Sequence, residues 1–381
     1  MERRRKEFPL RGNVHIKDWF PENGLDIGMY EDAKASDMTF SMYLEDYKSH
    51  KQDKETPYYG LTPPEVFRKR KQYMDKGEEP PRTVIEELFQ EAGVKTFGAR
   101  SDFFGKLYEV SDIDILIPEV LSNKIYAGLM LESLVNEFTA TETVIKTGYN
   151  YKKLYINDTE AQRDMGIISP GAEIGETHIG LAEKDVQMKK FGTYLTLSYE
   201  TLDQQRLNVF GLCLERVGRQ IGISETDDMF TTLISGDGNS STTPGTTVET
   251  AASGTIAVAD VIAWATGAPS PYKIDKFGGK KALIREYLTT LAGMYQTFSA
   301  YGKDIGIGLP KWYEWDRTSI TTDYFVGVDS RYAIEHLTNG QVLTETESVI
   351  KRQVKGTAIT YWSAFTIIDN QAVVIFDETH T

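Results

Sequence analysis

Apolar residues recur every three or four positions in one long stretch of this chain and alternate in several short ones. In the long stretch, Leu207, Phe210, Leu214, Val217 and Ile221 keep helical spacing, and Leu202, Val209 and Cys213 widen the face. Ser198 reads as an N-cap, Glu200 suits the first turn and Gly222 reads as a stop. The pattern predicts a helix over 198–222, about 36 Å long, with Phe210, Leu214, Val217 and Ile221 facing a core. Cys213, on the same face, is expected to be a buried, inert thiol. A short second helix is predicted over Glu225–Leu233. Upstream, Phe191–Leu197 alternates as a strand that feeds directly into the long helix.

Between 149 and 190 no helical stripe is visible. Gly166, Ser169-Pro170-Gly171, Gly175 and Gly180 supply turn chemistry at the middle. The flanks, Tyr149–Asp164 and Thr177–Lys190, are rich in Tyr, Ile, Val and Thr. Two legs of about 15 residues reach roughly 50 Å, and a two-stranded ribbon is marginal by itself. The extended hairpin over 149–190 is therefore expected to find its core on a neighbouring molecule. Tyr155, Ile167, Pro170, Ile174 and Ile179 are its expected contacts.

Residues 1–110 are less regular: a basic tip with Arg3, Arg4 and Arg5, then polar sequence with scattered aromatics to about Gly60. Pro63-Pro64 and Pro80-Pro81 each open a short helix, since the first turn needs no amide donor. This region reads as an arm with small docking helices and too little apolar content for a core of its own. Over 111–148, Ile113, Ile115 and Ile117 read as a strand ending at Pro118, with a helix capped by Ser122 after it. Ser235–Gly254 is an exposed Gly/Ser/Thr loop. It leads to helices at Val258–Ala265 and Lys280–Leu291, a strand at Tyr324–Val328, and a β-rich end: Val342–Val354, a break at Gly356, Thr357–Ile368 and Ala372–Phe376. Those last strands are expected to rejoin the one at Phe191–Leu197, leaving 236–340 as an inserted lobe.

With 42 basic against 56 acidic residues the net charge is −14, and no basic stripe marks a duplex-binding surface. One cysteine excludes an internal disulfide framework. Met1–Lys17 lacks the apolar run of a signal peptide, and no window approaches a membrane span; a cytoplasmic, soluble protein is the expectation. No nucleophile elbow, zinc motif or phosphate loop is present, and Ile274 stands where Gly278-Gly279-Lys280 would need a glycine. No cofactor or metal is expected. Asp112 and Asp114 share a strand face, as metal ligands or as a solvated surface. Glu314 and Asp316, between Trp312, Trp315 and the more distant His336, read either as an acid–base pair of a hydrolase or as a packed edge.

The order of these elements resembles a known family. IPEVLSNKIYAGLM (Ile117–Met130), the hairpin, FGTYLTLSYETLDQQRLNVFGLCLERVGRQIGI (Phe191–Ile223), FTTLISGDG (Phe230–Gly238) and YFVGVDSRYAIEHL (Tyr324–Leu337) stand in the sequence of a tailed-bacteriophage major capsid protein. Trp362-Ser363-Ala364-Phe365 in the β-rich end adds to it. The resemblance implies an α+β protein with the Hong Kong 97-type fold. It would have an N-terminal arm (1–110), a connecting segment (111–148), an E-loop hairpin (149–190), a peripheral domain (191–235 and 341–381, with the spine helix 198–222) and an axial domain (236–340). It also implies self-assembly through pentamers and hexamers into an icosahedral shell around double-stranded DNA. Implied partners are portal, scaffold or decoration proteins, with Arg3, Arg4 and Arg5 touching nucleic acid or a neighbour. The implied location is the virion capsid, assembled in the host cytoplasm. A shell of the encapsulin type around an enzyme cargo is the alternative within the fold.

Overall fold

The computed structural model describes the chain apart from residues 1–24, 26, 37, 53–54, 92–93, 95–100, 103–115, 146–147, 158–177, 182–184, 199, 201–205, 237–245, 250–255, 266, 269–271, 301–310, 316–323, 341, 350–352 and 378–381. Its helices are α1 (Ile27–Ala35), α2 (Phe40–Gln52), α3 (Pro63–Asp75), α4 (Val84–Glu91), α5 (Ile117–Glu132), α6 (Val135–Phe138), α7 (Leu207–Ser235), α8 (Val258–Ala265) and α9 (Lys281–Ala300). The strands are β1 (Thr141–Val144), β2 (Asn150–Tyr151), β3 (Leu154–Asn157), β4 (His178–Leu181), β5 (Val186–Gln187), β6 (Lys189–Ser198) and β7 (Thr246–Glu249). They continue as β8 (Lys276–Gly279), β9 (Lys311–Glu314), β10 (Tyr324–Val328), β11 (Ile334–Thr338), β12 (Leu343–Val349), β13 (Val354–Ile367) and β14 (Val373–Asp377). The chain divides into two compact units, 1–133 with 191–223 and 341–361, and 134–190 with 224–340 and 362–381.

In the first unit, α5 lies against the front half of α7, and glycines let the two backbones touch. A Cβ on Gly128 would stand 2.0 Å from the Glu215 carbonyl oxygen, one on Gly218 1.9 Å from that of Ile125, and one on Gly222 2.6 Å from that of Leu129. Gly222 therefore does not stop the helix. It is spent on close approach, and α7 runs on to Ser235, absorbing the second helix expected at 225–233. Ser198 is the last residue of β6 rather than a helix cap. Pro118 opens α5 where a strand end was expected, because the first helical turn tolerates proline.

The region read as an arm joins this core. Phe40, Tyr43, Leu44 and Tyr47 of α2, spaced i, i+3, i+4 and i+7, are buried, as are Val84, Ile85, Leu88 and Phe89 of α4. They pack in one cluster with Leu121, Ile125 and Leu129 of α5 and with Phe210, Leu214 and Ile221 of α7. A half-buried acceptor ties the ends together: Glu119 in the first turn of α5 accepts from the Ser41 amide at 3.2 Å and from its hydroxyl. Burial pushes the Glu119 carboxyl up, against those hydrogen bonds.

In the same unit, β12 runs antiparallel to the start of β13, with Leu343 opposite Thr360 and Val349 opposite Val354, and β6 also pairs with β13. Gly356 does not break the strand. The Tyr194 ring lies across it, so close that a Cβ would meet the phenol oxygen at 1.7 Å.

The second unit holds a five-stranded sheet in the order β7-β14-β10-β8-β9. β14 was expected beside the strand at Phe191–Leu197. It instead pairs antiparallel with β10 and parallel with β7, because its all-apolar Val373–Phe376 run fits a strand buried on both faces. Under α8 and α9 the core is aromatic. Trp264 meets Phe277, Tyr287 and Phe325 edge-on at 4.9–5.5 Å, and Phe325 stacks on Phe376 at 4.4 Å. Gly327 on β10 leaves room for the indole, whose ring would stand 2.4 Å from a Cβ there. Beside this sheet, β1 runs parallel to β11, and β11 antiparallel to the end of β13.

Candidate assembly site: the hairpin and its root

The segment 149–190 forms two antiparallel ladders within the second unit. Asn150–Tyr151 pairs with Gln187–Val186, and Leu154–Asn157 with Leu181–His178. Each ladder has only two strands among the described residues. Tyr155 pairs with Gly180 and Ile179 with Ile156 through the backbone. Ile167, Pro170 and Ile174 lie outside the described residues, as do Arg3, Arg4 and Arg5.

Where the hairpin leaves the sheet, both legs are held. On the outgoing leg, Tyr149 stacks on Trp362 of β13, ring centroids 4.2 Å apart. Tyr151 donates its hydroxyl to Glu335 of β11 at 3.1 Å, and Lys153 donates to the Ile367 carbonyl. Thr143 of β1 donates to the same Glu335 oxygen at 2.6 Å. On the returning leg, Val186 and Met188 are buried against Leu337 and Ala364, with Ile145, Tyr151 and Trp362 at the margin. Lys189 forms an ion pair with Asp228 of α7, and the Lys190 ammonium lies 5.5 Å over the Trp362 ring. The legs themselves are joined by the Met188 amide donating to the Tyr149 carbonyl at 2.9 Å. Burial pushes the Asp228 carboxyl up, and the Lys189 ammonium opposes that push.

None of these residues was read from the sequence as an anchor of the hairpin. The alternation of Val186 and Met188 was a readable signal, and so was Trp362. The pairing of Glu335 with Tyr151 was not, because it joins residues 184 positions apart.

On α7, Phe210, Leu214 and Ile221 are buried and Val217 is half-buried. Cys213 is exposed, contrary to the expectation of a buried thiol. With Leu212 at 63% and Val209 at 44% exposure, it lies on the side of the helix turned from the core. The stripe is narrower than its sequence suggested because the glycine seam with α5 takes over part of the face.

The Glu314, Asp316 and His336 set is not brought together. Glu314 sits on β9 and pairs with Lys281 at 2.9 Å, whereas His336 is on β11, in another sheet. Asp316 lies outside the described residues, as do Asp112 and Asp114. His336 is buried, not on the surface. Its Nε2 stands 3.0 Å from Glu225 Oε1 and 3.1 Å from Ser363 Oγ, and its ring stacks on Phe365. Serine and carboxylate meet the same ring nitrogen, so no proton relay runs through the imidazole. Among the described residues, no group of three or more metal-ligating side chains is gathered, and no helix is long and apolar enough to cross a membrane.

Among solved structures, the chain is similar at low sequence identity, and at TM-scores below 0.5, to several capsids and shells. The capsid of an empty GTA particle is 12% identical, with 65% of this chain and 89% of that one covered and a TM-score of 0.45. The Gordonia phage Cozz structure is 14% identical over 65% and 86%, TM-score 0.43. The holo-SrpI encapsulin complex from Synechococcus elongatus PCC 7942 is 11% identical over 64% and 88%, TM-score 0.43. No curated protein matches the sequence. The phage capsid family model matches residues 114–273, a span that holds α5, the hairpin and α7. The likeness to that family covers less than half of the chain.

Proposed function

We propose that copies of this chain close, through pentamers and hexamers, into an icosahedral shell around the double-stranded DNA of a tailed bacteriophage. The observation that carries this, beside the family match, is the pair of two-stranded ladders at 149–190. A two-stranded ribbon needs a surface to lie on, and in a closed symmetric assembly every copy offers the same surface to the next. The hairpin residues Tyr155, Ile167, Pro170, Ile174 and Ile179 are assigned to that contact. The second unit's 236–340 segment is assigned to the capsomer centre. Arg3, Arg4 and Arg5 are assigned to packaged DNA or a neighbouring copy. The role is structural rather than catalytic. Portal, scaffold or decoration proteins complete the list of partners, and assembly takes place in the host cytoplasm.

Negative-stain electron microscopy and a sizing column test the reading on the purified protein. Closed particles tens of nanometres across, or free pentamers and hexamers, are the expected result. A monomer or dimer at every concentration overturns it. Nucleic acid inside the particles supports the viral reading, whereas an enzyme cargo replaces it with a nanocompartment.

A further inference from the structure

The contacts at the hairpin root are more numerous than a tether requires. Tyr149, Tyr151 and Lys153 on one leg and Val186, Met188, Lys189 and Lys190 on the other are held by five kinds of contact between them: stacking, hydrogen bonding, apolar burial, ion pairing and a cation over a ring. The ring of Trp362 meets both legs, stacked by Tyr149 and covered by Lys190. Its backbone is fixed as well, since its carbonyl accepts from the Asn339 amide at 3.2 Å.

We propose that Trp362 is a positioning residue that fixes the direction in which the hairpin leaves its own sheet, before any neighbour is met. This rests on the reading that the hairpin docks on a second copy of the chain. From Asn150 to Asn157 is seven residue steps, at most about 23 Å when extended, so a swing of about 10° at the root moves the far end by up to roughly 4 Å. That is close to the spacing between neighbouring strands, enough to lose a register on the receiving surface. A root fixed in advance removes the wrong directions before docking and saves the ordering cost at the moment of contact. Uniform shell curvature follows from a uniform hairpin direction, since every copy reaches its neighbour at one angle.

The test uses the full chain carrying Tyr149→Ala, where the tyrosine is 59% exposed and its loss leaves the buried core intact. Trp362→Leu, which keeps apolar bulk, is the second variant. Hydrogen exchange is followed in the unassembled protein at 148–153 and 185–190, and shell diameters are measured by electron microscopy. Loss of the stacked pair is expected to speed exchange at the root by about three- to tenfold, with the melting temperature that of the wild type. Shells are then expected to be heterogeneous in diameter or left open. Unchanged exchange overturns the proposal, and so do uniform shells built from a loosened root. Deleting 158–177 separates this from the underlying reading. Shells that close normally without that segment overturn hairpin docking itself. Failed assembly of the deletion beside uniform Tyr149→Ala shells overturns the role of Trp362 alone.

Discussion

The two units reach close packing by opposite means. Around α5 and α7, side chains are removed: Gly128, Gly218 and Gly222 bring helix backbones into contact. Around Trp264, side chains are added until the space under α8 and α9 is filled with rings. The first arrangement leaves no slack, because a carbonyl cannot rotate away as a side chain can. The second concentrates apolar area in a few residues, so its stability rests on them individually. A tight seam resists insertion, and a filled core resists deletion.

Trp264→Ala is the largest expected break on the deletion side. The indole is fully buried and its Nε1 points at the Val374 carbonyl, 3.4 Å away. Truncation of a buried tryptophan costs about 3–5 kcal/mol, read as a fall in the denaturation midpoint. The insertion counterpart is Gly218→Ala, whose new methyl would stand 1.9 Å from the Ile125 carbonyl oxygen. Separating two helices to admit it costs about 1–3 kcal/mol. Full wild-type stability in that variant would mean that the seam opens freely.

Gly356→Ala sharpens the point because its nominal clash is nearly the same, 1.7 Å, yet the obstacle is the tip of Tyr194. That tyrosine is 52% exposed and can swing off, giving up its 2.6 Å hydrogen bond to Glu347. The expected cost is well below that of Gly218→Ala, because water replaces an exposed hydrogen bond to a carboxylate. If Gly356→Ala destabilises as much as Gly218→Ala, the distinction between backbone and side-chain obstacles is wrong.

This contrast also explains what was legible in the sequence. The apolar spacing of Leu207, Phe210 and Leu214 announces a helix whatever it packs on, and so do the proline pair that opens α3 and the one before α4. A glycine announces two things at once. Gly222 was read as a helix stop and Gly356 as a strand break, because local propensity has only conformation to offer. Their actual partners, Leu129 and Tyr194, lie 93 and 162 positions away. The helix α2 shows the converse: Phe40, Tyr43, Leu44 and Tyr47 keep helical spacing, but scattered aromatics in a polar stretch hid the stripe. The hairpin was visible as turn chemistry between β-rich flanks. Its anchorage was not, since Glu335, Trp362 and Asp228 come from three elements brought together only by the fold.

The smallest expected effect is a titration that distinguishes the units by sign. In the second unit Glu137 is held below the ordinary carboxylate value, first by the Tyr313 hydroxyl at 2.5 Å and then, against burial, by Lys311 at 3.3 Å. Its contribution is present above the ordinary value of 4.5 and is lost as pH falls through the depressed one. In the first unit Glu119 is raised by burial, so its contribution is present below 4.5 and is lost as pH rises through the elevated value. Glu137→Gln is therefore expected to destabilise at neutral pH and to match the wild type in acid. Glu119→Gln keeps an oxygen for the Ser41 amide and carries no charge to bury, so it is expected to equal or exceed the wild type at neutral pH. In acid that advantage should vanish. Thermal denaturation of the two variants across the acid range checks both signs. A Glu119→Gln variant weaker than wild type at neutral pH would mean that the charged carboxylate, not its burial, governs the contact with α2.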